Sequence, residues 1–398
     1  MRHRTNWFFG LAVVVLSGSI AFGEELLQSE LIFPLRKDHN HAPGIVELPN
    51  GDLLASWYRG DGERKADNVA IYGSRLTKGS KTWSPDFLMA DYPGFPDCNT
   101  AMFIDRHQKL WMFWPIILDN NWESALTNYV TSVDYSNAGS PKWNWSGVLY
   151  LKPDDFSDDA IAKLDKLVEQ VKAQLSEKQQ QYIANVKVRL KDKLLQRLGW
   201  MPRCKPIVLP SGRILLPLYT DTYSFCLMAI SDDDGRTWYA SKPLVGFGNI
   251  QATLMRRKDG TIVAYMRENG MTGKIRVCES KDEGISWGEV TSSPLDNPGA
   301  GIDGVVLANG HWALIYNDQK EGRNHLAVSI SEDEGATWKA TRHLEKRETG
   351  SYHYPAIIQG ADGVIHAIYS YFDDPHGKTM KHAAFNESWV LEGDGGGS

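Results

Sequence analysis

The sequence predicts an all-β chain folded as a six-bladed β-propeller, and three observations carry that reading. First, Ser231-Asp232-Asp233-Asp234-Gly235-Arg236-Thr237-Trp238 recurs twice, from Ser280 to Trp287 and from Ser331 to Trp338, at a spacing of about 50 residues that suits one blade. Second, Asn50-Gly51, Ser211-Gly212, Asp259-Gly260, Asn309-Gly310 and Asp362-Gly363 interleave with those boxes, each between short apolar runs. Third, a single long segment breaks the strand pattern.

The boxes have the form S-x-D-x-G-x-[ST]-W. Eroded copies stand at Ser74 to Trp83 and Ser132 to Trp143. Such a box staples a hairpin: the Asp accepts from turn amides, Gly takes the positive-φ place, and Trp folds back over the turn. The acidic residues before Gly lack the alternate ligands and final bidentate Glu of a calcium loop, so the boxes read as structural. The Asn-Gly and Asp-Gly pairs read as two-residue hairpin turns. With two turn signals and about four strands in each repeat, the chain holds about six blades. The strand near Leu31-Ile32-Phe33 closes the ring by pairing with the last blade.

The interrupting segment covers residues 157–198 and holds no Gly or Pro. Ile161, Leu164, Leu167, Val168, Val171 and Leu175 share one helical face, followed by Ile183, Val186, Leu190, Leu194 and Leu198. It reads as an inserted helical hairpin capped by Ser157.

At the start of the chain, Arg2, His3 and Arg4 precede an apolar run over residues 7–16, and Ala21-Phe22-Gly23 fits a cleavage site before Glu24. The division is therefore a signal peptide at 1–23, a propeller at 24–390 with the insertion at 157–198, and a flexible Gly-rich tail at 391–398. Export to the periplasm or medium follows, with no membrane span after cleavage. A net charge of -6 and the lack of a basic face argue against a nucleic-acid partner. Cys98, Cys204, Cys226 and Cys278 are irregularly spaced, consistent with one bridge or with four buried thiols. No phosphate loop, Ser-His-Asp signature or zinc motif is present, so no cofactor or metal is expected.

The repeated boxes, the blade spacing, and the stretches His41-Ala42-Pro43-Gly44-Ile45-Val46 and Tyr352-His353-Tyr354-Pro355-Ala356 resemble the sialidase-like superfamily, in particular its exported bacterial propellers with Asp boxes. The resemblance implies an arginine triad for a sugar carboxylate, a Tyr nucleophile assisted by Glu, and an Asp acid. By that resemblance Tyr352 stands at the nucleophile, Asp61 at the acid, and Arg59, Arg267 and Arg323 at arginine positions. His41 replaces the first clamp arginine, and Gln251 replaces the glutamate.

Inner-strand ends add Asp97, Asn99, Arg203, Lys205, Asp303, His353 and Tyr354 to the candidate site. The favoured function is an exo-α-sialidase-like glycoside hydrolase acting on an acidic or substituted sugar. In it Arg267, Arg203 and Lys205 hold the anion, Asp61 or Asp97 is the acid, and Tyr352 or a water attacks. A propeller polysaccharide lyase on uronate polymers is the alternative, with His41 or His353 as base and Tyr352 or Tyr354 as proton donor. A non-catalytic sugar-binding propeller is the third. All three take a carbohydrate partner.

Overall fold

The computed structural model describes residues 26–270 and 272–395. The expected signal peptide falls outside the described residues. Six antiparallel sheets follow one another along the chain. Blade 1 runs His39–Glu47, Leu53–Gly60, Ala70–Leu76 and Phe87–Ala90, and blade 2 runs from Ala101–Ile104 to Trp145–Val148. In blade 3 the inner strand is split into Met201–Pro202 and Ile207–Val208, both paired with Ile214–Thr220. Blades 4 and 5 begin with Asn249–Arg256 and Asp303–Val306. Blade 6 has Ser351–Gln359, Ile365–Asp373 and Gly377–Phe385, and its fourth strand is Leu27–Leu31, in register from Leu27↔Phe385 to Leu31↔Lys381. This pairing completes the last blade with a strand from the start of the described chain and so ties the two ends of the ring together.

The three boxes share their Ser and Asp bonds, and the indole bond closes the first two, Trp338 Nε1 being buried without a partner. In blade 3, Asp233 accepts from the Thr237 amide at 2.9 Å and its hydroxyl at 2.6 Å, and Ser231 Oγ accepts from the Gly235 amide at 2.8 Å. The indole of Trp238 donates to the Gly235 carbonyl at 3.2 Å. Two residues are left-handed in each turn, Asp234 with Gly235, Glu283 with Gly284, and Glu334 with Gly335. The boxes also join blades. A Cβ on Gly235 would strike Trp111 of blade 2, one on Gly284 would strike Leu215 of blade 3, and one on Gly335 would strike Tyr265 of blade 4. Glycine is needed there because the preceding blade lies against the turn.

The first turn of each blade differs from expectation. The Gly51 amide donates to the Leu48 carbonyl and the Leu48 amide to the Asp52 carbonyl, which makes a three-residue loop, and the same pair of bonds recurs at Leu209, Arg257, Leu307 and Gly360. Of the two residues in each signal only Gly is left-handed, as at Gly51 and Gly260, so the turn is type I with a glycine bulge and not a two-residue type I′ turn. Blade 2 makes the same loop with Gln108 at that place, φ 57°.

The insertion is a helical hairpin of Phe156–Val171 and Glu177–Leu190 between blades 2 and 3. Ser157 lies inside the first turn; the N-cap is Asp155, which makes no side-chain cap bond. Ser176 caps the second helix in a capping box with Gln179. Phe156, Ala160, Leu164, Ile183, Val186 and Leu190 are buried with Trp200, Tyr223 and Phe225, so the hairpin lies on the flank of blade 3. All four cysteines are buried and unpaired. Of the tail, residues 393–395 form a turn in which Asp394 pairs with His343 at 2.7 Å and Lys346 at 3.0 Å. Among the described residues no helix is long and apolar enough to cross a membrane.

Candidate functional site

The axis is located by side chains that cross it. Arg203, on blade 3, donates to the carbonyls of Pro43 on blade 1 and of Tyr354 and Pro355 on blade 6. Asp303 of blade 5 accepts from Thr253 of blade 4 at 2.8 Å, Lys205 of blade 3 at 2.8 Å, and the Ile357 amide of blade 6 at 3.0 Å. Arg203 and Asp303 are buried. These residues form a polar plug that holds the inner strands together. Arg203, Lys205 and Asp303 were expected to bind substrate, but both Nη atoms of Arg203, the Lys205 ammonium and the Asp303 carboxylate bond within this plug, and only Arg203 Nε is left without a partner.

Above the plug, the inner strands share an unusual backbone feature. Ala42, Asn99, Gln251 and Tyr354 have φ of 51°, 36°, 55° and 47°. The ladders skip at three of them, between His41 and Gly44, Ile250 and Thr253, and His353 and Ala356. A non-glycine residue held there costs about 1–3 kcal/mol, and such strain gathers at functional sites. The bulge breaks the alternation of the strand, so Tyr352 and Tyr354 do not share a fate. Tyr354 turns to the axis, whereas Tyr352 is buried against Tyr369 and Tyr371 with its hydroxyl unpartnered.

The phenol oxygen of Tyr354 accepts from Arg267 Nη1 at 3.0 Å and from Gln251 Nε2 at 3.4 Å. Arg267 Nη1 also reaches Gln251 Oε1 at 3.3 Å, and its Nε is buried without a partner. The His41 ring packs on Tyr354, His353 and Phe372, with centroids 4.7, 5.3 and 5.2 Å away. Burial holds His41 well below the usual imidazole range, and the neighbouring His353 adds to this. His353 is lowered to about 3 by burial and by Arg323, whose Nη1 donates to its Nδ1 at 2.7 Å. Arg323 Nη2 donates to the Gly299 carbonyl at 2.8 Å. Asn99 donates to the Tyr219 hydroxyl at 3.1 Å.

Three charged residues of this region had no motif to mark them. Glu63 and Arg64 follow the second strand of blade 1, and Asp221 follows the strand Ile214–Thr220 of blade 3. Glu63 accepts from the Tyr58 hydroxyl at 3.1 Å and lies 3.6 Å from His39 and 3.8 Å from His41. Burial works to raise its carboxyl, but the pull of His39, Tyr58 and Arg64 leaves it below the usual value. Asp221 is raised by burial against the opposing pull of Arg267 and Arg64. The two carboxyls are therefore driven in opposite directions.

The remaining candidates lie elsewhere. Asp61 is exposed and bonded to Asn68 at 2.9 Å. Arg59 pairs with Asp86 and covers the Tyr72 ring at 3.4 Å. Asp97 is buried, accepts from Trp114 at 2.6 Å and the Tyr92 amide at 2.8 Å, and is raised to about 7 by burial. Neither of its oxygens is open to a ligand.

Residues 186–367 match the family profile of a BNR repeat-like domain. A sialidase of Micromonospora viridifaciens is 27% identical over 170 residues, 40% of this chain and 25% of that protein. A protein of unknown function from Dyadobacter fermentans superposes with a TM-score of 0.68 at 15% identity, covering 90% of this chain and 99% of the other. The NanB sialidase of Streptococcus pneumoniae does so with 0.65 at 14% identity, covering 91% and 71%. The chain has a sialidase-like propeller fold, and part of it matches a BNR repeat-like domain.

This sialidase-like propeller spans about a quarter of the length of the curated relative it matches. The structural likeness covers about nine-tenths of the chain and shows the fold. The bonds around Tyr354 show which side chains meet at the axis. Gln251, expected near the nucleophile, lies beside Tyr354 and not beside Tyr352.

Proposed function

We propose that this propeller is a glycoside hydrolase acting on an anionic sugar, with Tyr354 as the attacking group. The observation that carries the reading is the phenol oxygen of Tyr354 set at the axis under two N–H donors, Arg267 and Gln251. Such donors stabilise the negative charge that oxygen carries as the phenol gives up its proton. A phenol suits an anionic sugar because it is not repelled as a carboxylate nucleophile would be.

Arg267 and Arg323 line the same wall and hold the sugar's carboxylate, with Arg64 at the rim; guanidinium matches a planar anion with paired donors. Asp221 is the proton donor to the leaving oxygen, because burial raises it towards the range where a carboxyl keeps its proton. The attack joins the anomeric carbon to the Tyr354 oxygen as the phenol proton passes to solvent water, breaks the glycosidic C–O bond, and transfers the Asp221 proton to the departing oxygen. Water then releases the sugar.

A second reading rests on Gln251. An amide cannot take the phenol proton as a carboxylate would, while the neutral imidazole of His41 packs on Tyr354. In proton-abstraction chemistry on a uronate, His41 is the base and Tyr354 protonates the leaving oxygen. Product analysis on sialosides and uronate polysaccharides decides between the two. Reducing ends without an unsaturated product support hydrolysis, an unsaturated uronate supports elimination, and binding without turnover of any such sugar removes both. The export expected from the first residues belongs to the same proposal, since polymeric or conjugated sugars are met outside the cell.

A further inference from the structure

The hydrolase reading, on which this inference rests only for its place beside the site, leaves three side chains unused. His39 and His41 stand two apart on the inner strand His39–Glu47 and so project from the same face. Glu63 comes over them from the loop after the second strand. The nearest nitrogens of both rings and one carboxylate oxygen lie within 4.8 Å of one another, with His39 Nε2 at 3.6 Å and His41 Nε2 at 3.8 Å from Glu63 Oε1.

We infer that His39, His41 and Glu63 form a binding site for a divalent transition-metal ion of the zinc type. In a tetrahedral site with metal–ligand bonds of about 2.1 Å, neighbouring ligand atoms lie about 3.4 Å apart. The two separations from Glu63 need only a few tenths of an ångström of closure, and the two rings, whose nitrogens lie within 4.8 Å, draw together the rest of the way on binding. Two imidazoles and one carboxylate leave a fourth position for water or a sugar oxygen, the pattern of sites that act on ligands and not of closed structural ones.

A second observation points the same way: His39 Nε2 is buried and has no hydrogen-bond partner, although it faces the carboxylate. Outer partners are also in place. Ser370 Oγ lies 3.0 Å from His41 Nδ1 and fixes that ring, and the Tyr58 hydroxyl holds Glu63.

One group competes with the ion. Lys378 Nζ lies 3.1 Å from His39 Nδ1. An ammonium donates there only when Nδ1 is bare, which puts the ring proton on Nε2, the atom the metal needs. Binding therefore displaces Lys378 and moves the proton to Nδ1, and affinity is limited by that exchange. Arg64, 3.5 Å from Glu63, opposes the cation further.

The test is titration of chelator-stripped protein with cobalt(II) chloride alone, followed by visible absorption, and with zinc chloride by calorimetry. The expected result is a single ion per chain with the intense visible bands of four-coordinate cobalt. His39→Ala and Glu63→Gln should each weaken binding by about tenfold or more. Lys378→Met should tighten it by removing the competitor, and it reports on the site even if another variant fails to fold. No saturable binding to the native protein, or binding unchanged in both His39→Ala and Glu63→Gln, overturns the assignment. The titration needs no turnover, so its failure leaves the hydrolase reading standing, and absence of turnover leaves the metal site standing.

Discussion

Replacing Arg267 by Met separates a group that binds the reacting sugar from one that merely packs. The thioether chain keeps most of the stem volume, so the inner wall of blade 4 should stay filled. What is lost is the guanidinium, with its 3.0 Å bond to the Tyr354 oxygen and its contact to the sugar anion. A hydrogen bond involving a charged group contributes about 1.5–3 kcal/mol. Two such bonds at the lower end give about 3 kcal/mol, or roughly two decades in kcat/KM. Folding should be nearly unaffected, because Tyr354 keeps Gln251 as a donor and the Arg267 Nε is already without a partner. The assay is kcat/KM on the best anionic glycoside found, with thermal unfolding of both proteins as the control. A variant within about fivefold of the parent, equally folded, refutes the place given to Arg267 and with it the anion pocket on blade 4.

Tyr354→Phe should abolish turnover while Tyr352→Phe leaves it intact; equal effects would show that the bulge does not sort the two tyrosines. The Tyr352 variant should unfold at the same temperature or slightly higher, since it deletes a buried hydroxyl without a partner. Trp287→Ala should cost about 3–5 kcal/mol in chemical denaturation, as expected for a buried Trp whose removal leaves a cavity; a loss under about 1 kcal/mol would contradict the stapling role of the boxes. Stability should fall in mildly acidic solution. His353 and His366 are lowered to about 3 and about 4 by burial, so below the unfolded value of about 6.5 the unfolded chain binds protons that the folded chain refuses. Their contribution is full above about 6.5 and is lost as pH falls to about 4 for His366 and about 3 for His353, and His366→Gln should flatten part of that slope in thermal melts. A slope unchanged by that substitution would mean that other groups set it.

The blades were legible because their signals are local. A Ser, an Asp and a Trp at fixed offsets fold one turn, and no distant contact is needed to recognise it. The loop type was misjudged for a related reason: Asn-Gly names a left-handed glycine equally well in a two-residue turn or as a bulge after Leu48-Pro49-Asn50, and only the ladder bonds separate the two. The site was less legible. Reading Tyr352-His353-Tyr354 as a regular strand gives both tyrosines one face, and the positive φ at Tyr354 undoes that alternation without any glycine to announce it. Glu63, Arg64 and Asp221 sit in loops whose composition resembles any solvent-facing turn. Their meaning comes from the blades they face, which are distant in sequence. Arg203 and the Lys205–Asp303 pair carried the opposite error, because charged groups at inner-strand ends can face a ligand or hold the ring shut, and here they hold the ring.

The seam of blade 6 has a consequence for how the molecule is made. Leu27 pairs with Phe385, so the strand synthesised first waits for one synthesised some 358 residues later (385 − 27). Until then the growing chain can stack blades only as an open arc, and the arrival of Gly377–Phe385 converts the arc into a ring. Contacts of such separation are slow to form, which sets the closing step late in folding. A circular permutant that begins after Leu31 and carries Leu27–Leu31 behind Phe385 would make that pairing local. It should close faster than the natural order while keeping the same six blades.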